Sequence, residues 1–405
     1  MIEARKPPQT NAGAVAWARR NLFHGPFSSL ATVVLGGILI WAAVSLLGWV
    51  FGGANWERLW VNLKLFAVYR YPSDLLWRPL LAVGALLFAF GASASDRERA
   101  GSHIFAGAFW QFWALILGLT VVSIVASWQV TPYYILATAM GIGGWLLGRI
   151  VPALARNGAY IWIAVLLLTP LLLYGLPWAD QGGMRAVPIT MWGGFMLTLV
   201  LTTGIVPSFP IGVLLALGRR SELPAISYIC TALIELIRGA PLIVWLFIAN
   251  LMVPFLFNIG PDVLPALGKA YVALVMFSAA YTAENVRGGL QSVPAGQSEA
   301  ARALGLSGWQ TTLLIVLPQA IRAVIPALVG QAIALFKDTS LVFILNLHDF
   351  FNVHNTVVQQ PASIQITGGI RLELSLFLAV TYFFFAYRMS VASRQIEKIL
   401  GVGER

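Results

Sequence analysis

Long apolar runs separated by short polar breaks dominate this chain. Ten stretches read as helical spans: 29–51, 79–94, 104–127, 132–148 and 159–176 in the first half, then 191–217, 226–257, 268–286, 309–336 and 372–387. A helix rising 1.5 Å per residue needs about 20 residues to cross the hydrocarbon layer. The run 79–94 is short by that measure. The run 226–257 is long and carries Glu235, Arg238 and a Gly239-Ala-Pro241 break, which predicts an interfacial or broken helix. The pattern therefore predicts an all-α integral membrane protein of about ten transmembrane helices.

Composition agrees. Of 405 residues, 59% are hydrophobic and 10% charged, against about 25% charged in soluble proteins. A net charge of +10 would suit nucleic acid, but the basic residues stand singly or in pairs at the ends of apolar runs. That placement suits membrane lipid with anionic headgroups and excludes nucleic acid as the partner. With the N-terminus inside, cytoplasmic segments hold Arg5, Lys6, Arg19, Arg20, Arg97, Arg99, Arg149, Arg156, Arg219, Arg220, Arg287, Arg302, Arg388 and Arg394 among others. The inside excess is roughly two to one, which places both termini in the cytoplasm. An outer loop bearing Arg58, Lys64, Arg70 and Arg78 weakens that bias. Trp17, Trp56, Trp128 and Trp178, near span ends, read as an interfacial belt.

The polar start lacks the pattern of a cleavable signal peptide. The one cysteine, Cys230, reads as a small buried residue, and no Cys/His cluster has metal-ligand spacing. His24, His103, His348 and His354 are scattered and are given no chemistry. The chain divides into a cytoplasmic tail at 1–28, an accessory membrane region of about five helices at 29–181, and a Gly- and Pro-punctuated junction at 182–190. A working core at 191–392 and a second tail at 393–405 follow. Gly144 and Gly148 form a Gly-x-x-x-Gly pair whose meaning is close helix packing.

The segment 292–318, SVPAGQSEAARALGLSGWQTTLLIVLP, lies between two spans on the cytoplasmic side. Pro294 suits a first helical turn, and Gly305 suits the position just past a helix end. The helix between them, about 11 residues and roughly 16 Å long, is too short and polar to span. Its alanines keep it slim, and Glu299 and Arg302 offer charges at the rim, so it is a docking peg by composition.

Glu299-Ala300-Ala301, then Gly305, then Ile315-x-Leu317-Pro318, resembles the EAA loop of ATP-binding-cassette (ABC) importer permeases. The flanks sharpen the resemblance. Ile234 to Pro241 (IELIRGAP), Tyr281 to Gln291 (YTAENVRGGLQ) and Lys337 to Leu341 (KDTSL) are similar to segments of polar-amino-acid permeases. The similarity covers about 191–394, matching that family's five-helix importer core. The long N-terminal half resembles the larger, M-type membrane subunits of broad-specificity L-amino-acid permeases.

The resemblance implies that Glu299, Ala300, Ala301, Arg302 and Gly305 couple the chain to an ABC ATPase dimer. It also implies a periplasmic amino-acid-binding protein outside, a second related permease beside it, and alternating access in a bacterial inner membrane. An ionisable group in a span is a functional candidate by default. Glu284 and Asp338 are acceptors for a substrate ammonium, Arg238 is a donor for its carboxylate, and Thr339 and Ser340 offer neutral hydrogen bonds. The opposing reading is that these residues pair with one another to hold helices in register. Arg322, near the end of its span, reads as snorkelling.

No Gly-x-x-x-x-Gly-Lys-Ser/Thr loop and no metalloprotease or nucleophile-elbow motif occurs. The chain is expected to bind no cofactor and to do no enzymatic chemistry, with ATP and Mg on the partner ATPase. The rivals are an ion-coupled secondary amino acid transporter, using Glu284 and Asp338 as ion sites, and a membrane enzyme, for which no polar catalytic cluster is found.

Overall fold

The computed structural model describes residues 13–99, 103–125, 131–179, 181–258, 260, 265–366 and 369–400. Among them the regular elements are helices apart from a two-residue strand, His348–Asp349, bridged to Gly193 and Gly194. It packs as two compact units, Met1–Trp60 and Val61–Arg405. In the first unit, helix α1 (Pro26–Gly48) continues as a π-helical turn to Gly53 and buries none of its residues. A helix apolar on every face that buries none of its residues is built for a lipid solvent.

Near its start the second unit has a short helix, Leu63–Val68. The accessory helices are α2 (Trp77–Arg99), α3 (His103–Val125), α4 (Thr131–Ile150) and α5 (Gly158–Tyr174). The core comprises α6 (Gly194–Thr202) and α7 (Ile205–Arg219), which together form one span, then α8 (Pro224–Arg238) and α9 (Leu242–Phe247). It continues through α10 (Ala266–Ser292), α11 (Ala295–Ala303), α12 (Leu317–Asp338), α13 (Phe350–Val358) and α14 (Arg371–Leu400). Each of the ten expected runs holds a helix or helix pair. Among the described residues, six spans, or seven with the bent pair α8 and Leu242–Phe257 counted as one, are long and apolar enough to cross a membrane. The short run at 79–94 is a full 23-residue helix, because it extends through polar residues that hydropathy does not count.

Local chemistry explains the irregular turns. The chain bends by 103° between α8 and Leu242–Phe257, at the Gly239–Pro241 break. Pro254 has no N–H to donate to the carbonyl of Asn250, and the preceding turn, Ile248–Met252, is π-helical. The Lys269 ammonium approaches that freed Asn250 carbonyl at 3.5 Å and its Oδ1 at 3.2 Å. Pro318 likewise follows a π-helical segment, Thr311–Val316.

Small residues set the accessory packing. A Cβ on Gly144 would lie 2.2 Å from the carbonyl oxygen of Phe88, and one on Gly148 would lie 2.2 Å from Ser95 Oγ. Helices α2 and α4 therefore touch backbone to backbone, which is how membrane helices gain dispersion without a hydrophobic effect between them. At the start of α2, Arg78 is fully buried and donates to the carbonyls of Gly183 (2.9 Å from Nε) and Arg185 (2.8 Å from Nη2). Tyr71 donates to Leu173 at 2.6 Å, and Asp74 pairs with Arg185 at 2.8 Å. Arg78 is thus a clamp on the junction loop and not a topological signal, which accounts for one of the basic residues that weaken the inside bias.

The Leu63–Val68 helix is joined to the core by aromatic contacts. The Phe66 ring lies 5.8 Å from Phe350 and 5.3 Å from Phe377. Asp349, fully buried, caps α13 by accepting from the N–H groups of Phe351 and Asn352, both at 3.0 Å. Burial pushes its carboxyl up to about 7, against the pull of those two N–H groups.

Two outcomes follow from this packing. Gly144→Ala should lower thermal stability in detergent by about 1–3 kcal/mol by forcing α2 and α4 apart. Gly143→Ala, whose Cβ meets nothing within 4 Å, should not. For Asp349, the folded pKa lies above the ordinary 3.8, so the fold disfavours the charged form. Wild-type stability should fall as pH rises from about 4 through 7. Asp349→Asn, which keeps the cap and loses the charge, should melt above wild type at about pH 8, and that gap should close at about pH 4.

Candidate functional site

Helix α11 is a freestanding peg. Of its nine residues only Ala301 is buried, at 4% exposure. Pro294 stands at the cap, one residue before the helix rather than within its first turn. The helix stops in a Schellman turn, with Leu306 N–H donating to the Ala301 carbonyl (3.2 Å) and Gly305 N–H to Arg302 (2.9 Å). Gly305 takes φ +84°, where a side chain would be strained. Ser307 and Gln310 then form a capping box that starts the next helix. Stop and start signals packed into so few residues fix the peg's angle to α12. Glu299, Ala300 and Arg302 face solvent, and so do Leu304 (84% exposed) and Trp309 (65%). Large apolar side chains exposed in a polar loop mark a surface awaiting a partner.

Behind the peg lies an ionic hub. Glu284 on α10 accepts from Arg287 Nε at 3.1 and 3.0 Å and also pairs with Arg287 Nη2. It pairs with Arg238 at the end of α8 (3.2 Å) and with Arg219 at the end of α7 (3.5 Å). Arg219 also meets Glu235 at 2.9 Å, and the Arg238 guanidinium lies 5.5 Å from the Tyr281 ring centroid. Three guanidiniums face two carboxylates, leaving one positive charge in excess. Arg219 Nη1 and Arg238 Nε are buried without a hydrogen-bond acceptor. One carboxylate thus ties three helices together.

Further along α10, a neutral polar network replaces charge. Gln331 on α12 accepts from Asn285 (2.9 Å) and donates to Ser278 Oγ (2.8 Å) and Thr282 Oγ1 (2.9 Å). Ser208 on α7 reaches Ser278 at 3.1 Å. These bonds satisfy polar groups that would be costly in lipid and hold α7, α10 and α12 in register.

The structure brings Glu284 and Arg238 together and leaves the other candidates apart. Asp338 ends α12, half-buried, two turns beyond Gln331, and forms no ion pair among the described residues. Thr339 is buried and donates to the Phe336 carbonyl at 2.8 Å, and half-buried Ser340 follows it in a 3₁₀ turn, Thr339–Leu345. Sequence reasoning missed Arg219, Arg287, Asn285 and Gln331 as members of these clusters. Arg287 was findable, because i,i+3 spacing from Glu284 places both on one helical face. Arg219 was not, because only the fold brings its helix alongside.

Glu284→Gln leaves three guanidiniums facing one another with Glu235 alone to offset them. It should destabilise the detergent-solubilised protein by about 1–3 kcal/mol, less than a fully buried pair because the site is partly wet. An unchanged melting temperature would contradict the hub.

The segment 208–396 matches the family described as binding-protein-dependent transport system inner membrane component. Over 98% of this chain and 96% of the relative, the sequence is 33% identical to the inner membrane amino-acid ABC transporter permease protein YhdY of Escherichia coli. It is 32% identical to the glutamate/glutamine/aspartate/asparagine transport system permease protein BztC of Rhodobacter capsulatus, over 99% of this chain and 96% of that one. It is 30% identical to the general L-amino acid transport system permease protein AapQ of Rhizobium johnstonii, over 69% and 78%. With similarity running the length of the chain and the peg and its flanking spans inside the matched segment, this multi-pass protein belongs to the family of inner membrane permease components of binding-protein-dependent ABC importers.

Proposed function

We propose that this chain is the membrane-spanning permease subunit of an ATP-driven importer of L-amino acids. The observation that carries the reading is the exposed peg α11, rigidly capped at its C-terminal end and continuous with α10 through Ser292–Pro294. In this reading Glu299, Ala300, Ala301, Arg302 and Gly305 form the coupling surface and seat in a separate ABC ATPase dimer. That dimer holds ATP and Mg, and this chain binds no nucleotide. Closure of the ATPase pushes α11, and the push passes up α10 to the Glu284 hub. The hub moves α7 and α8 with it as one body. A binding protein delivers substrate to the outer face, and a second, related permease completes the path. Both termini are cytoplasmic, as the Lys and Arg distribution favours.

Substrate passage follows from the same charges. An amino acid's carboxylate suits the excess guanidinium charge and the open donors on Arg238 and Arg219. Its ammonium suits Asp338, with Thr339 and Ser340 beside it, and then Glu284. An ammonium reaching Glu284 displaces one of its three guanidiniums, so occupancy and helix clamping are linked. An ion-coupled secondary transporter is set aside, because family membership favours an ATPase-driven importer and Glu284 is already engaged by arginines.

Deleting 299–305 should abolish ATP-driven uptake in proteoliposomes while the chain stays in the membrane. Leu304→Glu, which leaves the helix intact, should lower uptake by roughly tenfold or more, as loss of an interface anchor does. Uptake at the wild-type rate in both variants would sink the coupling assignment.

A further inference from the structure

The accessory helix α3 and the core helix α14 pack against each other. Between α3 and α14 lies a crevice of about 420 Å³, lined by Gln111, Phe112, Ala114, Leu115, Phe384 and Arg388. Phe112 and Phe385 approach across the seam, with ring centroids 6.5 Å apart. The lining is amphipathic in depth. Leu115 stands one helical turn from Gln111, and Phe384 stands one turn from Arg388, so each helix offers a polar group with an apolar one beside it on the same face. Arg371 and Arg388 are about 25 Å apart along α14, near the thickness of the hydrocarbon layer. Arg388 therefore sits at the membrane boundary and Phe384 inside it. Arg388 is half-buried and forms no ion pair or hydrogen bond among the described residues.

A partly sheltered guanidinium that pairs with no carboxylate among the described residues, beside a slot lined by Phe112, Leu115 and Phe384, matches one occupant. We infer that this crevice holds an anionic phospholipid of the cytoplasmic leaflet. Its phosphate is on Arg388, its glycerol region is beside Gln111, and an acyl chain lies between Leu115, Phe112 and Phe384. The phosphate supplies the missing anion, and the chain fills space that the helices leave open. The lipid would serve as a compliant joint between the accessory helices and a core helix that moves during transport. The choice of leaflet rests on the proposed orientation, which labelling a C-terminal tag from either side of the membrane checks separately.

The test is native mass spectrometry of the full-length chain released from nanodiscs of phosphatidylglycerol or phosphatidylcholine. Wild type should retain one phosphatidylglycerol per chain, with roughly fivefold preference over phosphatidylcholine, the worth of about one basic contact. Arg388→Gln should lose the preference. Arg394→Gln, on the same helix and bonded to Ser390, should keep it. Equal retention of the two lipids by wild type, or undiminished preference in Arg388→Gln, would overturn the inference. So would displacement by inorganic phosphate, which would mark a free-anion site. Cross-linking of a Phe384→Cys protein, in a Cys230→Ser background, to another membrane subunit would also overturn it, because a helix and not a lipid would then fill the slot.

Discussion

One carboxylate, that of Glu284, stands where α7, α8 and α10 converge and pairs with Arg219, Arg238 and Arg287 together. The interaction is strong because the site is only partly wet, and it is conditional for the same reason. Remove the charge and the three guanidiniums repel one another in a medium that screens them poorly. The position matters as much as the strength. Glu284 lies about 12 Å along α10 from the residue where that helix gives way to the peg. On the proposed coupling, a displacement of the peg reaches the hub along α10 after crossing only the two non-helical residues Val293 and Pro294.

The rest of the architecture answers to the bilayer. Apolar side chains gain little by meeting one another when lipid is the alternative, so packing relies on close approach and on polar groups that find partners inside the protein. Both devices are present in different regions. The accessory helices use close approach, at Gly144 and Gly148. The core uses hydrogen bonds, from Ser208 through Ser278 to Gln331 and Asn285. A glycine seam suits a rigid scaffold, whereas a chain of exchangeable hydrogen bonds and ion pairs suits helices that must shift relative to one another. Prolines mark where helices change pitch, and at Pro254 the freed carbonyl of Asn250 finds Lys269.

Much of this was legible in the sequence, for identifiable reasons. Hydropathy runs found the spans because the solvent imposes length. Gly239-Ala-Pro241 announced the sharp bend, since neither residue type continues a helix readily. Gly305 announced the end of the peg because a left-handed residue is needed there. The pairing of spans was not legible. Nothing local tells Arg219 that it will face Glu284, or Gln331 that it will bridge to Asn285, because those partners meet only after distant helices pack. Arg78 shows the opposite error: counted as an outer-loop charge, it is buried, with its hydrogen bonds going to backbone carbonyls instead of to lipid or water. Charge alone does not say whether a basic residue serves topology or structure.

On the proposed function, this chain works only as one part of an ATPase-driven assembly, joined through α11. The most direct measurement is affinity capture of the full-length chain from its native membrane in mild detergent, with mass spectrometry of what accompanies it. The expected result is recovery of an ABC ATPase together with a second, related permease. Repeated recovery of this chain alone would contradict it.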